Sequence, residues 1–137
     1  MKKFTTDRYL KAAFIIGGIY DIILGISSLF FTNFLATLFN VSIPDPLIFP
    51  QVTGIFLIVV GYFLIYASQD ARKLVVIGLG SCIIRFSFAL IVLLTWFTQG
   101  IEVFYLLLGI TDTLTGFLIL LSLLLTEDVS WRRLWQF

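Results

Sequence analysis

Residues 74–97, LVVIGLGSCIIRFSFALIVLLTWF, decide how this chain folds. About 17 to 25 apolar residues in a helix cross the roughly 30 Å hydrocarbon core of a bilayer, and this run has that length. It is too long for a strand of a transmembrane barrel, and it lacks the alternation of polar and apolar residues such strands need. Arg85 stands almost at its centre, where a charged side chain is most costly. The run therefore calls for lipid around it and for partners to its one charge.

Three more runs of the same kind flank it, at about Ala12–Phe31, Leu47–Ala67 and Ile101–Leu125. The whole chain of 137 residues is 60% hydrophobic and 12% charged, with mean hydropathy +1.08. A soluble domain of this length could not bury so much apolar surface, so lipid must be its solvent. The expected fold is all-α: one transmembrane domain over residues 1–137, built as a four-helix bundle with spans at about 12–31, 47–67, 74–97 and 101–125. The connections SQDARK and TQGIE are short, so consecutive spans should pack as antiparallel neighbours.

The first connection is longer. In TNFLATLFNVSIPDPLIFPQ, Phe31, Phe34, Leu35, Leu38 and Phe39 fall at helical spacing, which predicts a short interfacial helix at about 33–40. Asp45 before Pro46 resembles an N-cap with proline at the first helical position, although Pro50 offers an alternative start or a kink for the second span. At the N-terminus a basic front precedes an apolar stretch, as in a secretory signal. Asp21 interrupts the stretch and no small-x-small cleavage site follows, so it reads as an uncleaved first span.

Lys2, Lys3, Arg8 and Lys11 precede the first span, Arg72 and Lys73 join the second to the third, and Arg132 and Arg133 follow the fourth. The other two connections carry no Lys or Arg. By the positive-inside rule both termini and the middle connection face the cytoplasm. The tail at 126–137 ends in WRRLWQF, where Trp131, Arg132, Arg133 and Trp135 read as interfacial anchors at the cytoplasmic headgroups. Tyr62, Tyr66, Trp96 and Tyr105 near span ends fit an aromatic belt. Gln51, Gln99 and Glu102 belong near the outer surface, rimming a vestibule or simply solvated.

Composition also narrows the chemistry. With no histidine and one cysteine, the chain has almost no nitrogen or sulfur ligands for haem, copper, zinc or iron–sulfur clusters, so no cofactor and no metal site is expected. Ser-His-Asp and Cys-His catalysis is excluded for the same reason, and an enzyme is not expected. Cys82 lies mid-helix and reads as packing. Nothing points to nucleic acid.

Three ionisable residues fall at mid-span: Asp21, Arg85 and Asp112. Each costs about 2.5 to 3.5 kcal/mol at the bilayer centre, together roughly 8 to 10 kcal/mol if unpaired, so they must face one another or water. Gly18–Gly25 and Gly109–Gly116 share the pattern G-I-x-D-x-x-x-G in helices that run in opposite directions, which suggests a weak inverted pseudo-symmetry between the first and fourth spans. A chance likeness in a chain rich in glycine and isoleucine stays open beside it. Glycines three before and four after each aspartate lie on its own helix face, so another backbone can come close to the carboxylate. The third span offers a similar face through Gly78, Ser81, Arg85 and Ala89, and the second a smaller one through Gly54 and Gly61. Asp21, Arg85 and Asp112 are therefore expected to converge at mid-depth. Two roles stay open for them: an ion pair that fixes helix register, or a proton or ligand site using the carboxylate left over against one guanidinium. Thr111, Thr113 and Thr115 are expected to bond their own helix's carbonyls.

The glycine-rich second span GIFLIVVGYFLIYASQDARK, the basic connection after it and the arginine in GLGSCIIRF resemble the DoxX-like small bacterial membrane proteins. That resemblance covers most of the chain as architecture and the middle third as pattern. It implies a bacterial inner-membrane accessory subunit, since members have been linked to membrane oxidoreductase assemblies. The reading is a non-enzymatic accessory or scaffold component of a membrane complex. The alternative is a proton-coupled carrier or ligand-binding protein using the same three residues, which with four spans calls for a homodimer. Its partners on either reading are membrane lipid and other membrane proteins or a second copy.

Overall fold

A computed structural model of the chain describes residues 2–42 and 46–126. The anchors Trp131, Arg132, Arg133 and Trp135, and Asp45 of the expected cap, lie outside these. The described residues form five helices and one short 3-10 turn and no strand: α1 (Lys2–Phe30), α2 (Thr32–Phe39), α3 (Ile48–Ala67), the turn Ser68–Asp70, α4 (Val75–Gln99) and α5 (Val103–Leu125). Four helical segments are long and apolar enough to cross a membrane: Asp7–Phe30, Ile48–Asp70, Val75–Gln99 and Val103–Leu125. The chain is a multi-pass membrane protein built as a four-helix bundle.

Helix α1 does not stop cleanly. Phe31 leaves the helical region (φ −119°, ψ 18°), yet its N–H still reaches the carbonyl of Ser27, and the Thr32 hydroxyl donates to the carbonyl of Ser28. Helix α2 is thus a bent continuation of α1. It ends at Asn40, whose left-handed backbone (φ 50°) lets the next N–H, that of Val41, close on Ala36. Helix α3 begins at Ile48 and carries Pro50 in its first turn, where the missing N–H costs nothing, and Ser28 on α1 donates to the Pro50 carbonyl at 2.7 Å.

The tightest helix contact is the one between α1 and α3, and it uses the Gly54–Gly61 face that the sequence suggests is smaller than the one on α4. Gly18 and Gly25 are seven residues apart, as are Gly54 and Gly61, and the two pairs meet in antiparallel register. A Cβ at Gly18 would lie 2.6 Å from the Gly61 carbonyl oxygen, and one at Gly61 would lie 2.5 Å from that of Gly18. Gly25 and Gly54 meet in the same way at 2.6 and 2.7 Å. Only glycine allows two backbones this close, and the gain is dispersion over the full contact, the force that holds helices together where lipid is as apolar as leucine. On α5, Gly109 and Gly116 meet side chains instead, those of Val92 and Phe86. Gly78 on α4 makes room for the ring of Phe14 on α1.

Packing is closest in the α1–α3 and α4–α5 pairs, followed by α1–α5. Helices α3 and α4, although joined by a short connection, touch less, which corrects the expectation that every consecutive pair packs side by side. The core is also one-sided. Leu10, Ala13, Phe14, Leu64, Ala67, Val75, Cys82, Ile119 and Leu123 all lie between mid-span and the end where α3 turns into α4. On the opposite half, Val92 and Ala36 are the buried apolar side chains among the described residues. A groove of about 330 Å³ opens there between α4 and α5, along Phe86, Ala89, Val92, Gly109, Ile110 and Thr113.

Polar contacts fasten both ends. Arg72, in the α3–α4 connection, makes a two-pronged ion pair with Asp7 on α1. At the far end the Ser42 hydroxyl donates to Glu102 at 3.0 Å, and the rings of Phe39 and Phe104 stack 4.6 Å apart.

Candidate functional site: a buried charge cluster at mid-span

Arg85 sits on the face of α4 that looks into the bundle, one turn after Ser81, and is 3% exposed. Its Nε donates to the Ser81 hydroxyl at 3.2 Å. Across the bundle, Nη2 donates to Asp21 Oδ1 at 2.7 Å and to the Gly17 carbonyl at 3.3 Å. Nη1 donates to Asp112 Oδ1 at 3.0 Å and to the Thr115 hydroxyl oxygen at 2.9 Å. A guanidinium has five N–H donors in a planar fork, and here the five bonds use all of them. The three mid-span charges converge as the sequence predicts.

Helix geometry explains the acceptor set. Gly17 and Asp21 are four residues apart on α1 and share a face, as do Asp112 and Thr115, three apart on α5. Gly17 has no side chain to cover its carbonyl, so the guanidinium reaches backbone there. The Thr115 hydroxyl donates to its own helix, at Thr111 O (2.9 Å) and Asp112 O (3.0 Å), which leaves its lone pairs turned out for Arg85. The Thr111 hydroxyl also lies in reach of the Leu107 and Leu108 carbonyls of its own helix and pairs with the Tyr20 hydroxyl at 2.7 Å, a bond that ties α1 to α5. The Tyr20 ring also lies 5.3 Å from the Arg85 carbon, within cation–π range.

The reading of the threonines as purely local is therefore corrected in part. Thr113 bonds the Gly109 carbonyl of its own helix, whereas Thr111 and Thr115 bond carbonyls of their own helix and also pair with Tyr20 and Arg85. Gly17 and Tyr20 were also missed, although their spacing from Asp21 puts Gly17 on its face. Cys82 packs as expected, with its thiol against the Gly116 carbonyl.

Protein-family models, curated proteins and solved structures hold no match to this chain. Its chemistry is legible only from its own residues.

The two carboxylates differ. Asp21 is 3% exposed in its side chain and Asp112 15%. Asp21 packs against α3 at Gly61, which has no side chain to offer a donor, and its Oδ2 is buried without a hydrogen-bond partner among the described residues. Asp112 stands at the edge of the cluster, beside the exposed Tyr20–Thr111 bond. The site is thus a cation saturated with donors spent, held between one sealed carboxyl and one at a rim.

Proposed function

We infer that this chain is a non-enzymatic accessory or scaffold component of a bacterial inner-membrane complex, held in one shape by an internal Asp–Arg–Asp clamp. The observation that carries this reading is the saturated Arg85. A guanidinium with every N–H engaged inside a sealed core has nothing left to offer a substrate, and it ties α1, α4 and α5 to one register. The resemblance to DoxX-like proteins supports the accessory role. The basic residues at the N-terminus, in the α3–α4 connection and in the tail support an orientation with both termini in the cytoplasm. The shared G-I-x-D-x-x-x-G of α1 and α5 belongs to the same reading as the trace of an inverted duplication.

A second reading, a proton-coupled carrier, is favoured by one observation: the Asp112 side chain, at mid-span, is 15% exposed rather than sealed. Purification of the tagged chain from its native membrane into nanodiscs separates the two. On the accessory reading the chain emerges in a stoichiometric complex, and the double variant Asp21→Asn/Asp112→Asn drops out of it. Isolation as a sole polypeptide that dissipates an imposed pH gradient in proteoliposomes, with Asp112→Asn abolishing the flux, overturns the accessory reading in favour of the carrier.

A further inference from the structure

The cluster has more carboxylates than its cation can satisfy. Arg85 gives one ionic bond to Oδ1 of each aspartate and spends its other three N–H groups on Ser81, Gly17 and Thr115. If both aspartates were ionised, the core would hold a net negative charge at mid-membrane. An ionised carboxylate spreads its charge over both oxygens, and Asp21 Oδ2 is buried with no donor. Half of that charge would lie in an apolar wall with neither water nor a hydrogen bond to oppose it, a situation proteins avoid by neutralising the group.

We propose that the Asp21–Arg85–Asp112 cluster is a one-proton binding site: Asp21 is a neutral carboxylic acid with its hydroxyl at Oδ2, and Asp112 is the anion that balances Arg85. The assignment follows from the surroundings of each carboxyl. Asp21 faces Arg85 from α4 and Asp112 from α5, neighbours Tyr20 on its own helix, and meets no charged or titratable side chain from α3 among the described residues. A neutral acid there still accepts from Arg85 through its carbonyl oxygen, Oδ1, at the observed 2.7 Å. Asp112 has the less enclosed position, at the rim beside Tyr20 and Thr111, where a full negative charge is cheaper to hold. The site so defined is neutral overall and holds one acidic proton. This inference rests on the clamp geometry and not on the accessory role the clamp serves.

Infrared spectroscopy of the full chain in nanodiscs at neutral pH tests it, reading the C=O stretch of a protonated carboxylic acid and its shift in heavy water. Spectra are taken as differences against the Asp21→Asn/Asp112→Asn variant, so surface carboxyls cancel. The wild-type chain should show the band with the intensity of one carboxyl. Either single variant, Asp21→Asn or Asp112→Asn, should lose it, because the remaining aspartate must then ionise to balance Arg85. Arg85→Gln should double it, and if that variant fails to fold the other three spectra still decide. A wild-type chain without the band, or a single variant that keeps it, overturns the one-proton site. The placement on Asp21 has its own readout. Asparagine mimics a neutral acid, so Asp21→Asn should unfold near the wild-type temperature and Asp112→Asn clearly below it; the reverse order, or equal midpoints, overturns the assignment to Asp21. Failure of the nanodisc purification to yield a complex would bear on the accessory role and leave the band where it is.

Discussion

Removing the two aspartates together should cost more than the sum of removing each. In Asp21→Asn the amide oxygen keeps the acceptor at Oδ1, and Asp112 remains to balance Arg85, so the loss is about 1 kcal/mol or less, that of weakening one hydrogen bond to a charged group. In Asp112→Asn the anion must move to Asp21, whose Oδ2 has no donor, and the cost rises to about 1 to 2 kcal/mol for a buried unsatisfied acceptor. Additivity would then put the double variant at no more than about 3 kcal/mol. Instead it leaves a guanidinium, 3% exposed, among neutral acceptors alone with no anion to balance it. Breaking a buried ion pair from one side costs about 3 to 5 kcal/mol, and here both anions go at once, so the upper end, about 5 kcal/mol, is expected. The excess of about 2 kcal/mol is the coupling energy of the cluster. Reversible unfolding in mixed micelles, followed by far-UV circular dichroism for wild type, both singles and the double, measures it. Agreement of the double variant with the sum to within about 0.5 kcal/mol would refute the claim that the three side chains act as one unit.

Gly61→Ala puts a methyl 2.5 Å from the Gly18 carbonyl and should lower stability by about 1 to 3 kcal/mol as α1 and α3 are forced apart, whereas Gly80→Ala, with nothing within 4 Å, should gain up to about 1 kcal/mol from helix propensity; equal effects in the same micelle assay would count against the glycine contact. Thr115→Val removes an acceptor from Arg85 Nη1 and should cost about 1 to 2 kcal/mol, while Thr113→Val, whose hydroxyl bonds its own helix at Gly109, should be near neutral, and the reverse order in thermal melts would contradict the assigned roles. Outside the membrane, Glu102 is held below the usual glutamate range by its own backbone N–H and by the hydroxyl and N–H of Ser42. A depressed carboxylate contributes stability that is present above its unfolded-state range and disappears as the pH falls through its folded value, so amide exchange at Ser42 should accelerate on acidification below the ordinary glutamate range and stay flat in Glu102→Gln. Exchange at Ser42 that is equally pH-sensitive in both chains, after correction for the intrinsic rate, would exclude the contact.

The sequence by itself determined the class of fold, because crossing a bilayer is a constraint on length and hydropathy along one helix at a time, and residues 74–97 meet it without reference to any neighbour. It also required that Asp21, Arg85 and Asp112 face one another or water, since three unpaired charges at mid-span are costly, and the shared glycine faces led to the expectation that they converge. Which helices touch most closely was a matter for the tertiary structure. The seven-residue spacing of Gly18 with Gly25 and of Gly54 with Gly61 was visible, but a small-residue stripe on one helix does not name the helix it will meet. The same holds inside the cluster. Spacing put Gly17 on the face of Asp21 and Thr115 near Asp112, yet that a carbonyl and a hydroxyl would join two carboxylates on one guanidinium depends on how far α1, α4 and α5 stand from each other. Above all, the difference between Asp21 and Asp112, identical residues in matching sequence patterns, was decided by packing alone: α3 packs against Asp21, whose buried Oδ2 has no donor among the described residues, while Asp112 keeps part of its side chain exposed. Hydropathy is a property of a segment, whereas the fate of a buried charge depends on the neighbours it is given.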